Sequence, residues 1–272
     1  MNTQIRESQA ATSSANVHVF LLVGQSNMAG RDATPFDFPP DSRILNFSDG
    51  RAGAALNQIE VANDPLRHDK LGVVHGTNLG RPFARALLAT LPQGDKILLV
   101  NRAWGGTAIA DWHMAHGPSG YLAGSSYDLP VNLYNTAVND YLAAMRAVRN
   151  TGGTALVAGI LWLQGESDAG LGTPSETYRA AVNEVLGRMR ADLGKTEVPV
   201  VIVSFFEGFG AESGARLRET LAQIAEDLGA AFVRADGAAV LADGVHMTTA
   251  SHQMLGERAC NAYLQITRPV PD

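Results

Sequence analysis

The 272-residue chain is poor in several features, and each shortage excludes a class of protein. Its single cysteine, Cys260, rules out an intramolecular disulfide, and its apolar neighbours indicate the buried face of a helix. No apolar run is long enough to span a bilayer. A net charge of -6 provides no basic surface for nucleic acid or an anionic membrane. We therefore predict a globular protein that has neither nucleic acid nor membrane as a partner.

The first sixteen residues are polar, rich in Ser, Thr, Gln and Ala, and lack the apolar core of a secretory signal. We predict a disordered leader at 1–16 and a single domain at 17–268, because no linker or repeat divides the chain. Cytoplasmic is the default location, and a secreted or periplasmic one applies if a signal has been removed. The oligomeric state is left open.

Apolar strand-like runs alternate with helical patterns along the chain. Strands connected by helices predict βαβ crossovers, and so an α/β protein with a parallel sheet and helices on both faces. From Asp32 to Gly76 a region rich in Pro, Gly and Asp is predicted to be irregular, apart from a short strand at 43–47. The other strands are predicted at 18–23, 96–100, 156–163, 198–205 and 231–233, and the helices at 78–91, 131–148, 175–193, 215–228 and 248–264.

The segment 24–30, which reads GQSNMAG, follows the first predicted strand. A serine between glycines at a strand end can be exposed by a tight turn, so Ser26 is a candidate nucleophile. We predict that Ser26 begins a helix, whose free amides would stabilise an oxyanion. Met28 stands where the Gly-x-Ser-x-Gly elbow of α/β-hydrolases has its last glycine, which disfavours that fold. The alternative is a strand-ending turn without chemistry.

A second motif, DGVH at 243–246, lies near the C-terminus. On a tight loop, Asp243 can bind His246 Nδ1 and leave Nε2 to face Ser26. The three side chains then supply the nucleophile, base and orienting carboxylate of a catalytic triad. The alternative is a turn-capping aspartate beside a loop histidine, and the presence of the Ser26 motif favours the triad.

Two further polar segments follow predicted strands. Gly105 and Gly106 can bring a backbone amide close to a ligand, and Gly106 is the favoured oxyanion donor. Gln164 is a second candidate donor. Glu166 and Asp168 have no His or Cys near them in sequence, which argues against a metal and favours a structural role for these carboxylates.

Trp104, beside the glycine pair, has an aromatic face that could stack on a sugar ring. Packing in the core is the alternative. Trp112, on the other side of the glycine pair, is a second candidate with the same alternative.

Along the chain the four motifs are GQSNMAG at 24–30, GGT at 105–107, QGESD at 164–168 and DGVH at 243–246. In this order they resemble the SGNH (GDSL-type) hydrolase superfamily, and more narrowly its sialate O-acetylesterase-like and family 6 acetyl xylan esterase group. The resemblance extends from His18 to Leu264. It implies a three-layer α/β/α, flavodoxin-like fold around a central parallel sheet, and ester hydrolysis without metal or cofactor. It also implies a triad of Ser26, His246 and Asp243, an oxyanion hole of Ser26, Gly106 and Gln164, and substrate-binding or supporting roles for Gln25, Asn27, Gly105, Glu166 and Trp104.

Our leading hypothesis is a serine esterase that removes O-acetyl groups from a carbohydrate of the acetyl xylan or sialate type. One alternative is a broader lipase or thioesterase on the same fold, which would need a long apolar groove that the Gly-, Pro- and Asp-rich loops do not offer. Another is a carbohydrate-binding protein that has lost catalysis, which the intact Ser-His-Asp set argues against. The sequence does not determine which sugar or which hydroxyl carries the acetyl group.

Overall fold

The computed structural model describes residues 15–51, 53–113, 132–194 and 197–268. The predicted leader at 1–16 lies outside these ranges except for its last two residues. The elements are β1 (Asn16–Gly24), α1 (Ser26–Ala29), β2 (Ile44–Asp49), β3 (Leu56–Val61), α2 (Gly80–Leu88), β4 (Lys96–Asn101), a 3-10 turn (Ile109–Trp112), α3 (Leu133–Asn150), β5 (Thr154–Leu163), α4 (Glu166–Leu171), α5 (Ser175–Asp192), β6 (Val200–Val203), α6 (Ala211–Leu228), β7 (Ala231–Val233) and α7 (Thr249–Thr267).

The strands form one sheet in the order β3-β2-β4-β1-β5-β6-β7. All neighbouring pairs are parallel except β2 and β3, which are antiparallel. The predicted central parallel sheet is therefore confirmed, with an antiparallel strand added at one edge. Since β1 lies between β4 and β5, the carboxyl ends of these three strands, where the motifs begin, are adjacent.

The central strand β1 shows why the fold has three layers. Successive side chains of a strand point to opposite faces, and those of β1 are apolar on both. Val19, Leu21 and Val23 belong to the core beneath α3, α5 and α6. Phe20 and Leu22 belong to the separate core beneath α2 and α7. Helices thus cover both faces of the sheet, as predicted.

Three aromatic rings connect the second core. Phe20 on β1 contacts Phe83 on α2 and Tyr263 on α7, with ring centroids 5.0 and 5.3 Å apart, and Phe83 and Tyr263 are 5.8 Å apart. All three pairs meet edge to face, the arrangement that the ring quadrupole favours. The cluster holds both helices of this layer against the central strand.

The structure differs from the predicted elements mainly at boundaries and at the sheet edge. The strand predicted at 198–205 is confined to Val200–Val203, and the helix predicted at 78–91 to Gly80–Leu88. The edge strand β3 and the short helix α4 were not predicted. Most side chains of β3 are exposed, so it lacks the apolar periodicity that reveals a strand. No helix in the described ranges is long and apolar enough to cross a membrane.

Replacing Phe20 by alanine removes the ring that both α2 and α7 contact. We expect the F20A variant to lose about 3–5 kcal/mol of unfolding free energy, the usual cost of a large cavity in a core. Equilibrium unfolding in urea measures this loss. Leu71, which is 91% exposed, is the control, and L71A should change the free energy by no more than about 0.5 kcal/mol. Equal stability of the two variants would contradict the central role of the cluster.

Candidate active site

Ser26 owes its position to a close approach between the ends of β1 and β5. A Cβ atom on Gly24 would lie 1.9 Å from the carbonyl oxygen of Leu163, so only glycine fits there, at a φ of +138°. The next amide, that of Gln25, donates to the same oxygen at 3.0 Å. The chain then turns into α1, which begins at Ser26 as predicted. The amides of Met28 and Ala29 donate to the Gln25 carbonyl at 3.0 and 2.9 Å, which closes this short turn.

The predicted base and its orienting carboxylate are hydrogen-bonded. Asp243 Oδ2 lies 2.7 Å from His246 Nδ1, and Asp243 Oδ1 accepts from the backbone amides of Val245 and His246, each at 2.9 Å. Partial burial alone would raise the pKa of Asp243, but these hydrogen bonds lower it below its ordinary value. An ionised Asp243 therefore holds the proton of His246 on Nδ1, which leaves Nε2 able to accept one.

Ser26 and His246 line the same cavity, of about 340 Å³. Within the described part of the chain no hydrogen bond joins the two side chains, and catalytic hydrogen bonds often tighten only in the substrate complex. The other lining residues are Gln25, Arg31, Lys70, Val73, Gly105, Gly106, Glu166, Ser167, Gly170, Phe209 and Val245. The structure thus brings together two motifs that lie near opposite ends of the chain.

The glycine pair borders Ser26. A Cβ atom on Gly105 would lie 3.2 Å from Ser26 Cβ and 2.3 Å from the Arg31 guanidinium, so the approach requires glycine. The Gly105 amide donates to Asp69 at 2.6 Å and is not directed at a ligand. Gly106, with φ of +74°, lines the cavity. The role of Gly106 as a donor to substrate stays a prediction.

Gln164 does not have the predicted role. Its Nε2 group donates to Asp168 at 2.6 Å and to the Thr107 carbonyl at 3.1 Å, and its Oε1 accepts from the Tyr178 hydroxyl at 2.8 Å. Both amide hydrogens are therefore used inside the protein, and Gln164 is fully buried and absent from the cavity wall. The predicted structural role of Asp168, by contrast, is confirmed, because it binds the Gln164 amide and the Ile109 backbone.

Trp104 also departs from the prediction that it stacks on a sugar. It is 1% exposed and belongs to the core beneath α3, α5 and α6. The guanidinium groups of Arg51 and Arg67 lie 5.2 and 5.4 Å from its ring centroid. Packing in the core, the alternative reading, is what the structure shows.

The remaining predicted residues divide into two groups. Gln25 and Glu166 line the cavity, whereas Asn27 is fully buried behind it. Gln25 Oε1 accepts from the backbone amide of Ser167 at 3.2 Å, at the start of α4. In the described ranges there is no cluster of three or more His, Cys, Asp or Glu side chains that could hold a metal ion.

Comparison with known proteins identifies the family of this chain. The family model for carbohydrate esterases described as sialic acid-specific acetylesterase matches residues 16–265. The chain belongs to this family. Its members are carboxylic ester hydrolases, so the predicted superfamily and enzyme class are confirmed.

Individual relatives agree with this assignment. A probable carbohydrate esterase of Arabidopsis thaliana is 30% identical over 264 residues, which is 90% of each chain. The crystal structure of an Arabidopsis protein superimposes with a TM-score of 0.70 at 26% identity, covering 93% of this chain and 98% of that one. NanS shares the fold with a TM-score of 0.65 at 19% identity, covering 93% of this chain and 98% of that one. A carbohydrate acetylesterase of Xanthomonas citri shares it with a TM-score of 0.62 at 24% identity, covering 92% of this chain and 56% of that one.

Sequence reasoning missed the charged group behind the glycine pair. Asp69 is fully buried, and its Oδ2 accepts from Arg31 Nη2 and from the Gly105 amide, each at 2.6 Å. Burial would raise the pKa of Asp69, but Arg31, the Gly105 amide and Arg67 hold it below the ordinary value. Burial also lowers the pKa of Lys70 to about 8, against the attraction of Asp69. Asp69 and Lys70 lie in the irregular region, where no spacing singles them out.

Replacing Asp69 by asparagine leaves the buried Arg31 guanidinium without its counter-charge. We expect D69N to lose about 3–5 kcal/mol of unfolding free energy at pH 7, as when one partner of a buried ion pair is removed. Because the pKa of Asp69 is lowered in the folded state, its contribution is complete at neutral pH. It disappears as the pH falls below about 4, where aspartate in the unfolded chain also protonates.

Urea unfolding of wild type and D69N at several pH values measures both effects. The exposed Asp37 provides a matched control, D37N, which should follow the wild type at every pH. A difference between D69N and wild type that stayed constant into acid would show that the charge of Asp69 is not what stabilises the glycine pair.

Proposed function

We propose that this esterase removes O-acetyl groups from a carbohydrate through an acetyl-enzyme formed on Ser26. One observation carries the proposal: Ser26 and His246 line one cavity, and His246 Nδ1 is bound to Asp243 at 2.7 Å. A nucleophile, a base with its proton fixed on the far nitrogen, and an ionised carboxylate are the parts that serine acyl transfer needs.

In the first half-reaction, Ser26 Oγ attacks the acetyl carbonyl carbon while His246 Nε2 takes the serine proton. Asp243 stabilises the imidazolium that forms. The tetrahedral intermediate collapses as the bond to the sugar oxygen breaks, and His246 returns the proton to that oxygen. The free sugar hydroxyl leaves, and the acetyl group stays on Ser26.

In the second half-reaction, water takes the place of the sugar. His246 Nε2 removes a proton from water, whose oxygen attacks the acetyl carbonyl. Collapse of the second intermediate releases acetic acid, which ionises at neutral pH, and the proton on His246 returns to Ser26 Oγ. Each cycle thus consumes one ester and one water and restores the enzyme.

The proposed oxyanion hole consists of the backbone amides of Ser26 and Gly106 and the side chain of Gln25. The Gln25 Oε1 atom accepts from the Ser167 amide at 3.2 Å and faces the Gly165 amide at 3.5 Å. Because backbone amides occupy this oxygen, Nε2 is the end of the carboxamide that can donate to a ligand. Gln25 lines the cavity, and Gln164 does not, so Gln25 takes the place first expected of Gln164.

The size of the cavity bears on the choice between an acetylesterase and a lipase. At about 340 Å³ it lies near the lower end of the range for ligand pockets, about 300–1,000 Å³. Such a space favours a short acyl group with part of a sugar ring over a long acyl chain. We therefore propose that acetylated carbohydrates are better substrates than long-chain esters.

Removal of the Ser26 hydroxyl tests the proposal directly. We expect S26A to lose at least about 10⁴-fold in kcat on acetylated sugars, because no nucleophile remains to be acylated. Acetate release from acetylated xylan, acetylated glucose and O-acetyl sialic acid measures this, with a long-chain aryl ester as a fourth substrate. The exposed Ser42 gives the control S42A, which should retain wild-type rates.

The panel also separates the competing functions. Serine-dependent release from a sugar, with slow cleavage of the long chain, supports the acetylesterase. Faster cleavage of the long-chain ester than of every acetylated sugar would favour a lipase instead. Binding of the sugars without turnover of any ester would point to a carbohydrate-binding protein.

The proposed role of Gln25 as an oxyanion donor can be tested by replacing its amide nitrogen with oxygen. In Q25E a carboxylate oxygen still accepts from the α4 amides, but the Nε2 donor is lost and a negative charge faces the developing oxyanion. We expect kcat to fall by about 10²–10³-fold, the cost of losing one oxyanion donor. Steady-state kinetics with an acetylated sugar measures it, beside Q58E at the exposed Gln58. A normal kcat in Q25E would remove Gln25 from the oxyanion hole.

A further inference from the structure

The residue after the nucleophile contacts the backbone on both sides of the base. The side chain of Asn27 is fully buried. Its Oδ1 accepts from the Met247 amide at 2.8 Å, and its Nδ2 donates to the Val245 carbonyl at 3.2 Å. These two backbone groups flank His246 in sequence. One carboxamide therefore connects the helix that carries Ser26 to the loop that carries His246, across about 220 residues of chain.

Glu166 fixes the orientation of this carboxamide. The second hydrogen of Asn27 Nδ2 goes to Glu166 Oε1 at 2.6 Å, so both amide hydrogens of Asn27 have acceptors and its oxygen has a donor. A flipped Asn27 would place its NH₂ group against the Met247 amide and its oxygen against two acceptors. Glu166 is itself buried at the first position of α4. It therefore connects the segment 164–168 to the segment 24–30.

The hydrogen bonds of His246 itself stay within its own loop, since Nδ1 binds Asp243 and the carbonyl accepts from the Leu241 amide at 2.7 Å. Asp243 is three residues away on the same loop, and the pair is partly exposed, so it orients the ring within the loop and moves with it. Within the described part of the chain no hydrogen bond joins His246 to Ser26. The Met247 side chain anchors the loop in the core beneath α2 and α7. The hydrogen bonds of Asn27 connect the backbone on either side of His246 to the helix that carries Ser26.

We propose that Asn27 and Glu166 are positioning residues for the general base, which hold the 245–247 backbone so that His246 Nε2 reaches Ser26. This inference rests on the proposed triad. Asn27 acts on the loop directly, and Glu166 acts through Asn27. Neither side chain takes part in proton transfer, and the reaction steps are unchanged.

The arrangement makes a chemical prediction about Glu166. What Asn27 requires there is an acceptor, and the carbonyl oxygen of a carboxyl group accepts whether or not the group is ionised. Burial raises the pKa of Glu166 to about 7, despite the hydrogen bond from Asn27. Glutamine should therefore replace Glu166, because its amide oxygen accepts equally, whereas leucine of similar size should not.

Steady-state kinetics of N27A, N27D, E166Q and E166L on an acetylated sugar tests the inference. We expect N27A and N27D to lose about 10–100-fold in kcat, since a misplaced catalytic group of this kind costs about that much, with KM within about threefold of wild type. E166L should lose about tenfold and E166Q less than about twofold. N139A, at an exposed asparagine of α3, is the matched control.

Two comparisons distinguish positioning from a general loss of structure. If Glu166 acts through Asn27, the double variant N27A/E166L should be no slower than N27A alone, because the effects share one route. Recovery of kcat in E166Q but not in E166L is the second. Melting temperature and far-UV circular dichroism identify any variant that fails to fold, and the E166Q and E166L pair then decides the question without Asn27.

The inference fails if folded N27A keeps kcat within about threefold of wild type, or if E166Q is as slow as E166L. It also fails if the losses of N27A and E166L multiply in the double variant. S26A separates these failures from that of the triad itself. If S26A is inactive while the Asn27 variants are normal, the triad stands and the positioning role is wrong; full turnover by S26A would overturn both.

Discussion

The active site depends on the contact between the carboxyl ends of β1 and β5. Gly24 approaches the Leu163 carbonyl so closely that a Cβ atom would lie 1.9 Å from that oxygen. The contact forces the chain to turn at Gln25 and start a helix at Ser26. It also brings the start of α4 against the nucleophile, so that Gln25 and Asn27 can reach residues about 140 positions away. A bulkier residue at Gly24 would separate two motifs that the chemistry needs together.

Buried polar groups around the site are arranged in pairs and chains, and this determines which of them face substrate. Gln164 is occupied by Asp168, Thr107 and Tyr178, and the Gly105 amide is occupied by Asp69. Satisfied groups of this kind hold the loops rigid, because breaking any one of them would leave a buried polar atom unpaired. Gln25, Gly106 and His246 line the cavity in front of these supported loops. Rigid loops behind the groups that face a ligand are the arrangement that electrostatic catalysis requires.

The charged side chains of the site come from separate parts of the chain. Arg31 and Lys70 place positive charge in the cavity wall, balanced in part by the buried Asp69. His246, the proposed base, lies on the loop before α7 and is only partly buried. In the proposed mechanism its place is set by the hydrogen bonds of Asn27 to the backbone on either side of it. A carboxamide suits this task, because it can accept from one backbone group and donate to another without adding a charge beside the base.

The sequence by itself determined the alternation of strands and helices along the chain, the α/β class, and the pairing of Asp243 with His246. Strongly apolar β1 and β5 and the spacing of Asp243 and His246 are local features, so they can be read without a partner. The edge strand β3, the burial of Trp104 and the enclosure of the Gln164 amide were decided by the tertiary structure. Each depends on which groups meet across the sheet: an amide is a donor to substrate only if no acceptor within the protein has taken its hydrogens. That competition is between residues far apart in sequence, so a local sequence pattern cannot predict its outcome.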